Sequence, residues 1–186
     1  SFDKATSVTI TSGEKVTIGS IDAKDDATLD FTGVTGELDV TIDNSLDYTV
    51  KGAATAKSTI RMGAANGLDK DDNIQGGSGT SDVLIAEING LANSSTSTTG
   101  ALTISGIETI ELDVVTATSS LDFSGVTGAK TVAIGSGGAG IDLTIDKLTA
   151  GTAIQYGVTA SSDFTGDLVV KLADATGSDD SLTINL

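Results

Sequence analysis

The chain contains no proline, cysteine, histidine or tryptophan, and only 3% of its residues are aromatic. Without cysteine there is no disulfide framework. Without histidine and cysteine, a catalyst would have to rely on carboxylates, lysine or tyrosine near neutral pH. Because large aromatic fillers are scarce, Val, Ile and Leu must supply most of the buried surface. Because proline is absent, every rung of a stacked β structure keeps its full set of backbone donors.

Acidic residues dominate the charge. Ten Lys and Arg residues oppose 26 Asp and Glu residues, which gives a net charge of −16 and an isoelectric point near 4.1. No basic patch for nucleic acid forms from this composition, and anionic membrane surfaces are disfavoured. No run of 18 apolar residues is present, so we expect no membrane insertion. The charge keeps an extracellular protein soluble, and it also attracts counterions, divalent cations above all.

Short β-strands are the main local signal. Alternating apolar and polar residues, many of them β-branched, predict strands at residues 7–10, 15–18, 38–42, 47–50, 102–104, 107–114, 131–134, 141–145, 168–172 and 181–186. Gly, Ser, Asp and Asn between them supply turns. The one segment with helix-like apolar spacing is 83–93, for which we expect a short helix or an irregular segment. Residues 93–100 (NSSTSTTG) predict an exposed loop.

An internal repeat bears on the architecture. The octapeptide LDFTGVTG at residues 29–36 returns as LDFSGVTG at 121–128, and DFTG occurs again at 163–166. Repeats of this kind indicate a unit that stacks on itself. We therefore expect a parallel β-solenoid, a β-helix-like stack of short strands, in which the two octapeptides occupy equivalent places with Leu and Phe inward and Asp outward.

The alternative fold is an antiparallel β-sandwich. That fold favours hairpins with Asn-Gly or Asp-Gly turns, but Asn66-Gly67 and Asn89-Gly90 do not lie cleanly between alternating strands. We expect one elongated β domain over residues 1–186. Since the chain starts Ser1-Phe2-Asp3 with no basic, apolar leader, we expect it to be a segment of a longer protein.

Residues 69–84 (DKDDNIQGGSGTSDVL) form the one dense polar constellation. Calcium takes six to eight oxygen ligands, and carboxylates, amide oxygens and carbonyls at glycine turns supply them. An EF-hand does not fit, because Thr80 stands where the bidentate Glu belongs. The sequence therefore predicts a calcium site, and its candidate ligands are Asp69, Asp71, Asp72, Asn73, Gly77, Gly79 and Asp82.

The same segment resembles the nonapeptide Gly-Gly-x-Gly-x-Asp-x-apolar of calcium-binding β-rolls, with one extra residue between Gly79 and Asp82. Together with the octapeptides, ISGIETI at 104–110 and DDSLTINL at 179–186, it resembles bacterial surface-layer proteins of the RTX type. The resemblance implies a secreted protein that forms a calcium-dependent two-dimensional lattice on the cell surface. Residue by residue, it implies Asp72, Gly77, Gly79 and Asp82 as calcium ligands, the glycines through their carbonyls.

Three classes of function remain open. The first is a structural segment that associates with itself, in a lattice or a filament, and contacts cell-surface polysaccharide. The second is a binding module, either a segment of a large secreted RTX adhesin or an ice-binding solenoid, although the sequence shows no regular array of Thr. The third is an enzyme, which we do not expect: the adjacent pairs Asp25-Asp26 and Asp179-Asp180 would point to opposite faces of a strand, and exposed aromatics that hold sugars are scarce.

Overall fold

The computed structural model describes residues 2–43, 46–63, 67–88, 92–93, 102–114, 118–137, 140–156, 164–176 and 180–185. These residues form strands and connections and no helix. The strands are β1 (Ser7–Ser12), β2 (Val16–Ile21), β3 (Ala27–Val34), β4 (Leu38–Ile42), β5 (Tyr48–Lys51), β6 (Ser58–Met62), β7 (Asn73–Gln75), β8 (Val83–Ile88), β9 (Ala92–Asn93), β10 (Thr103–Ser105), β11 (Thr109–Val114), β12 (Ser119–Asp122), β13 (Val126–Thr127), β14 (Thr131–Ile134), β15 (Leu143–Leu148), β16 (Ala153–Tyr156), β17 (Leu168–Leu172) and β18 (Thr183–Asn185).

The strands form three sheets in which all described pairs of strands are parallel. The first sheet has the order β1-β3-β5-β7-β10-β13, the second β2-β4-β6-β8-β11-β14-β16-β18, and the third β9-β12-β15-β17. The chain thus winds from sheet to sheet and each circuit, or rung, pairs with the rungs before and after it. This confirms the predicted β-solenoid and excludes the antiparallel sandwich.

Aliphatic side chains from successive rungs stack in columns inside the solenoid. Along a strand, alternate residues face inward, so strand register places one inward residue directly over the next. In the second sheet one such column, here the spine column, runs Ile18, Val40, Ile60, Leu84, Ile110, Val132, Ile154, Ile184. Its six internal members are 0% exposed. The first sheet has a similar column: Val8, Leu29, Val50, Ile74, Ile104 and Val126.

Outward positions carry small polar residues in matching rows. The row Ser7, Thr28, Thr49, Asn73, Thr103 lies on the outer face of the first sheet. The neighbouring row is interrupted by charge, because Asp30 lies beside Lys51, with 3.9 Å between carboxylate and ammonium. The sequence did not reveal this array, since its members are spaced by 21, 21, 24 and 30 residues.

The cross-section of the solenoid changes along its length. The described part of the chain passes only through the first and second sheets up to β8, and the third sheet begins at β9. The first sheet ends at β13, whereas the second and third sheets continue to β18 and β17. Only the second sheet therefore has strands at both ends of the molecule.

The two octapeptides do not occupy equivalent places, so that prediction is wrong. Leu29 was expected to match Leu121, but it lies in the same column of the first sheet as Val126. Leu121 lies in the third sheet. Their apolar residues do face inward as predicted, since Leu, Phe and Val of both copies are at most 6% exposed. Asp30 is half-buried, but Asp122 is only 2% exposed and not outward.

A shared local hydrogen bond explains why the same octapeptide recurs in different sheets. Oδ1 of Asp30 accepts hydrogen bonds from the backbone N–H of Thr32 at 3.0 Å and from its hydroxyl at 2.6 Å. The Thr32 hydroxyl and N–H therefore lower the pKa of Asp30. Oδ1 of Asp122 accepts from the N–H of Ser124 at 2.8 Å in the same way. Because these hydrogen bonds lie within the segment, it fits both inside β3, where the pairing with β1 shifts register, and between β12 and β13.

The predicted helix or irregular segment at 83–93 is also corrected. Residues 83–88 form β8, which pairs with β6 and β11, and residues 92–93 form β9, while 89–91 lie outside the described residues. Leu84 and Ile88 are four residues apart, which satisfies both a helical period and an alternating one. Ala86 between them is also buried, so burial alternates from residue to residue, as it does in a strand and not in a helix. The predicted loop at 93–100 falls outside the described residues from 94 onward.

Truncating the spine column should destabilise the whole solenoid. We expect Ile60→Ala to lower the free energy of unfolding by about 2–5 kcal/mol, because it leaves a cavity between two packed rungs. Its outward neighbour Thr59 is half-buried, so Thr59→Ala should cost about 1 kcal/mol or less. Urea denaturation of both variants measures the difference, and equal losses would contradict the inward and outward assignment.

Candidate cation-binding sites

An acidic corner precedes the strands of the first sheet in three successive rungs. Asp25 and Asp26 stand before β3, Asp47 stands directly before β5, and Asp69 and Asp71 lie in the connection to β7. One carboxylate oxygen from each of Asp47, Asp69 and Asp71 lies within 4.8 Å of the other two. Stacking of rungs brings these three carboxylates together, and we call them the corner cluster.

Backbone hydrogen bonds fix the corner cluster. The N–H of Asp47 donates to Oδ1 of Asp25 at 3.1 Å, and the N–H of Asp71 donates to Oδ1 of Asp69 at 2.8 Å. Partial burial raises the pKa of Asp47, and the charges of Asp69 and Asp25 raise it further. Lys70 contacts the carboxylate of Asp71 and offsets part of this repulsion. Three converging carboxylates are a donor set that calcium accepts.

Asp72, one of the predicted calcium ligands, accepts backbone hydrogen bonds with both carboxylate oxygens. It is 2% exposed, and its two oxygens accept backbone hydrogen bonds from Tyr48 at 2.8 Å and from Asp69 at 2.9 Å. Burial raises the pKa of Asp72 to about 7, and the nearby charges of Asp69 and Asp47 add to the effect, although the two hydrogen bonds oppose it. Asp72 therefore joins two rungs through backbone amides. Asn73 lies in the outward polar row, where its Oδ1 accepts from the side chain of Gln75 at 3.2 Å.

Asp82 is the most unusual carboxylate of the described chain. It stands directly before β8 and is 0% exposed. Its Oδ1 accepts from the N–H of Ser58 at 2.6 Å, and its own N–H donates to Oε2 of Glu108 at 2.9 Å. Its Oδ2 is buried without a hydrogen-bond partner. Burial raises the pKa of Asp82, and the charge of Glu108 raises it further. An orphaned buried carboxylate oxygen is costly unless a proton or a cation satisfies it.

The Gly-rich turn packs tightly around Asp82. A Cβ placed on Gly79 would lie 3.0 Å from Oδ2 of Asp82, and one placed on Gly77 would lie 2.2 Å from the carbonyl oxygen of Ala53. Gly77 also has a φ of 126°, which L-residues with side chains rarely adopt. Close approach of neighbouring rungs thus requires these glycines whether or not a cation binds.

The predicted ligands therefore fall into separate groups. Asp69, Asp71, Asp72 and Asn73 lie at the beginning of β7, whereas Gly77, Gly79 and Asp82 lie after it, before β8. The structure joins Asp69 and Asp71 to Asp47, which the sequence analysis missed. The sequence did contain a signal for this grouping. Asp25, Asp47 and Asp69 follow one another at intervals of 22 residues, close to the length of one rung.

Comparisons with protein-family models, with curated proteins and with solved structures found no match. In the part of the chain that the structure describes, no helix has the length and apolarity needed to span a membrane.

The titration of Asp72 should make stability fall as pH rises. The pKa of Asp72 is about 7 in the folded protein against an ordinary value of 3.8. Between these values the folded state keeps a proton that the unfolded state has released, so the free energy of unfolding decreases, by on the order of 1.4 kcal/mol per pH unit. Below the window both states hold the proton, and above it the loss is complete.

Asp72→Asn tests this dependence because it keeps the shape and removes the titration. Chemical denaturation in chelator at a series of pH values should show a shallower decrease for the variant than for the wild type between about pH 4 and 7. Asp3→Asn, the same substitution at an exposed position, should follow the wild type. Parallel curves for wild type and Asp72→Asn would show that Asp72 does not keep its proton on folding.

Proposed function

We propose that this chain is a structural segment of a secreted bacterial surface-layer protein of the RTX type, which assembles in the presence of calcium into a lattice on the cell surface. The observation that carries the proposal is the corner cluster, in which carboxylates of neighbouring rungs lie within 4.8 Å of one another. Calcium at such a place would tie one rung to the next. The sequence resemblance to RTX surface-layer proteins points the same way.

The electrostatic balance supports a role for cations. Six ion pairs occur among the described residues, and five of them join neighbouring rungs: Lys15–Glu37, Lys51–Asp30, Arg61–Asp39, Lys147–Asp122 and Lys171–Asp146. In four of these five pairs both partners are at least partly exposed, and such pairs contribute about 0–1 kcal/mol each, whereas the carboxylate of the Lys147–Asp122 pair is buried. Ten basic residues leave a net charge of −16, so self-repulsion opposes both stacking and association until cations are bound.

A structural role fits the interior better than catalysis does. Among the described residues, the cavity lined by Phe123, Val126, Leu148 and their neighbours has a volume of about 30 Å³, room for water and not for a substrate, and a larger hollow of about 310 Å³ beside Phe2 is wide open to solvent. The described carboxylates with raised pKa values, Asp47, Asp72 and Asp82, lie at rung junctions, where backbone amides bind both oxygens of Asp72 and one of Asp82. We therefore propose no enzymatic activity, no nucleic-acid partner and no insertion into a membrane.

A calcium-stabilised segment of a large RTX adhesin is the second candidate. The outward row of Ser7, Thr28, Thr49, Asn73 and Thr103 favours it, because regularly spaced hydroxyl and amide groups suit hydrogen bonding to a cell-surface polysaccharide. An adhesin segment would remain monomeric in calcium, whereas a lattice segment would associate.

Calcium should raise the melting temperature, because it binds the folded chain and not the unfolded one. At a hundred times the dissociation constant the gain is about 2.7 kcal/mol per site. Asp71→Asn removes an exposed ligand of the corner cluster and should lose at least about half of the gain. The matched control, Asp3→Asn, should retain it. Titration calorimetry without heat, together with an unchanged melting temperature in calcium, would reject the corner cluster as a calcium site.

Asp82→Asn separates the buried carboxylate from the corner cluster. The variant replaces a buried, partly unsatisfied charge, so in chelator it should be at least as stable as the wild type. If calcium also binds Oδ2, the variant should gain less stability from calcium than the wild type does. A calcium gain equal to that of the wild type would leave Asp82 as a purely structural residue.

The assembly itself is tested by light scattering and electron microscopy. The purified chain should associate in millimolar calcium, form ordered sheets or filaments, and return to monomers in chelator. Sodium chloride at matched ionic strength should not replace calcium, because it screens the carboxylates without being bound by them. A chain that stays monomeric in calcium at high protein concentration would favour the adhesin.

A further inference from the structure

One buried carboxylate in the middle of the stack has an oxygen without a hydrogen-bond partner. Asp82 lies between β7 and β8, with residues 46–63 in the preceding rung and residues 102–114 in the following one. It is 0% exposed, and among the described residues its Oδ2 is the one buried side-chain nitrogen or oxygen that lacks such a partner. Because described rungs cover Asp82 on both sides, its burial is a property of the interior of the stack.

Three successive rungs meet at Asp82. Its Oδ1 accepts from the N–H of Ser58 in the preceding rung at 2.6 Å, and its own N–H donates to Oε2 of Glu108 in the following rung at 2.9 Å. Its carbonyl oxygen accepts from the N–H groups of Glu108 and Thr109 at 3.1 Å each. Ser58, Asp82 and Glu108 each stand two residues before a member of the spine column, so their side chains share the inward face of the second sheet. A ligand at Asp82 is therefore positioned to join three rungs.

The space beside Gly79 is lined by oxygens of Asp82 and of the preceding rung. A Cβ placed on Gly79 would lie 3.0 Å from Oδ2 of Asp82, and 3.4 Å from both Oδ1 and the carbonyl oxygen of Ala56. Outside Gly79 and its chain neighbours, these oxygens are the three atoms nearest to that position. Two carboxylate oxygens and a carbonyl oxygen that converge in this way are the hard ligands that calcium prefers.

The negative charge at Asp82 has little compensation from basic side chains. Among the described residues, no ion pair includes Asp82 or Glu108. Burial raises the pKa of Asp82 and the charge of Glu108 raises it further, while the hydrogen bonds from Ser58 and the charge of Lys57 oppose them. A buried carboxylate beside a second carboxylate is costly unless a proton or a cation neutralises it. A proton neutralises one carboxylate, whereas a divalent cation neutralises both and also binds the carbonyl oxygen.

We infer that Oδ2 of Asp82, the carboxylate of Glu108 and the carbonyl oxygen of Ala56 bind one calcium ion inside the stack and so tie three successive rungs together. Neither Glu108 nor Ala56 was predicted as a ligand from the sequence. The site precedes strands of the second sheet, whereas the corner cluster precedes strands of the first, so the two bind calcium separately. The inference deepens the calcium dependence proposed above and rests on it for the identity of the ion.

Burial should make this site less sensitive to salt than the corner cluster, because salt screens exposed charges more than buried ones. Asp71→Asn retains the buried site, and Asp82→Asn retains the corner cluster. We expect the calcium affinity of Asp71→Asn to fall less than that of Asp82→Asn when sodium chloride is raised. Titration calorimetry on both variants measures the two slopes, and equal slopes would contradict a buried ion.

Gly79→Ala tests the buried site without removing a ligand, because the added methyl group fills the space in front of Oδ2. Equilibrium dialysis at a fixed concentration of free calcium should count one ion fewer per chain for this variant than for the wild type. Gly13→Ala is the matched control, since its added methyl group meets nothing within 4 Å, and it should bind as many ions as the wild type. Melting curves in chelator show whether each variant folds.

Glu108→Gln tests the second carboxylate, and it decides the question if the methyl group at residue 79 prevents folding. The change keeps the size of the side chain and an acceptor for the N–H of Asp82, but it removes the charge. It should raise the dissociation constant of the buried site by about tenfold or more. Glu87→Gln makes the same change on the outward side of β8 and should leave that constant unaltered.

Ion counts and affinities that stay at the wild-type values in both Gly79→Ala and Glu108→Gln would overturn the buried site. If Asp71→Asn still weakens calcium binding and the wild type still assembles in calcium, the proposed function survives that result. If the wild type binds no calcium at all, both proposals fail.

Discussion

Parallel pairing between successive rungs is the interaction on which the rest of this structure depends. None of the described strands has a hairpin partner, so each finds its backbone hydrogen bonds in a rung that lies about 20 to 30 residues away along the chain. Stacking at strand spacing then determines the interior, because it places Ile60 over Val40 and Leu84 over Ile60. With few aromatics available, these narrow aliphatic columns bury surface that larger side chains supply in other folds.

The same stacking that aligns aliphatic residues also aligns like charges. Asp47 meets Asp69 and Asp71 because their rungs are neighbours, and Asp82 meets Glu108 for the same reason. The chain meets this repulsion partly by ion pairs between rungs and partly by turning carboxylates onto backbone amides, as Asp72 and Asp82 do. A divalent cation would offset the repulsion at the carboxylate oxygens that have neither an ion pair nor a backbone amide as a partner. The fold and the proposed calcium dependence would therefore have one origin, the short distance between rungs.

The sequence predicted the class of fold and the inward residues because alternation is local. It did not predict register, because the rungs differ in length, with spacings from 21 to 30 residues in the first sheet. For this reason Asp47 was missed as a partner of Asp69, and the outward polar row was not recognised. The octapeptides were paired wrongly because identity of sequence reflected the same local hydrogen bond at Asp30 and Asp122 and not the same place in successive rungs. Residues 83–88 were misread because the large apolar residues Leu84 and Ile88 fit helical and strand periods alike, while burial of the small Ala86 between them shows only in the structure.

The direction of the hydrogen bonds in the second sheet has a mechanical consequence. These bonds run along the axis of the solenoid, from β2 to β18, while the strands run across it. Tension along the axis would open the stack one rung at a time, as a zipper opens, and each step would break only a few bonds. Tension along the strands would load a whole ladder in shear, and many bonds would have to fail together. The proposed layer would therefore withstand stretching best when its strands lie along the direction of the load.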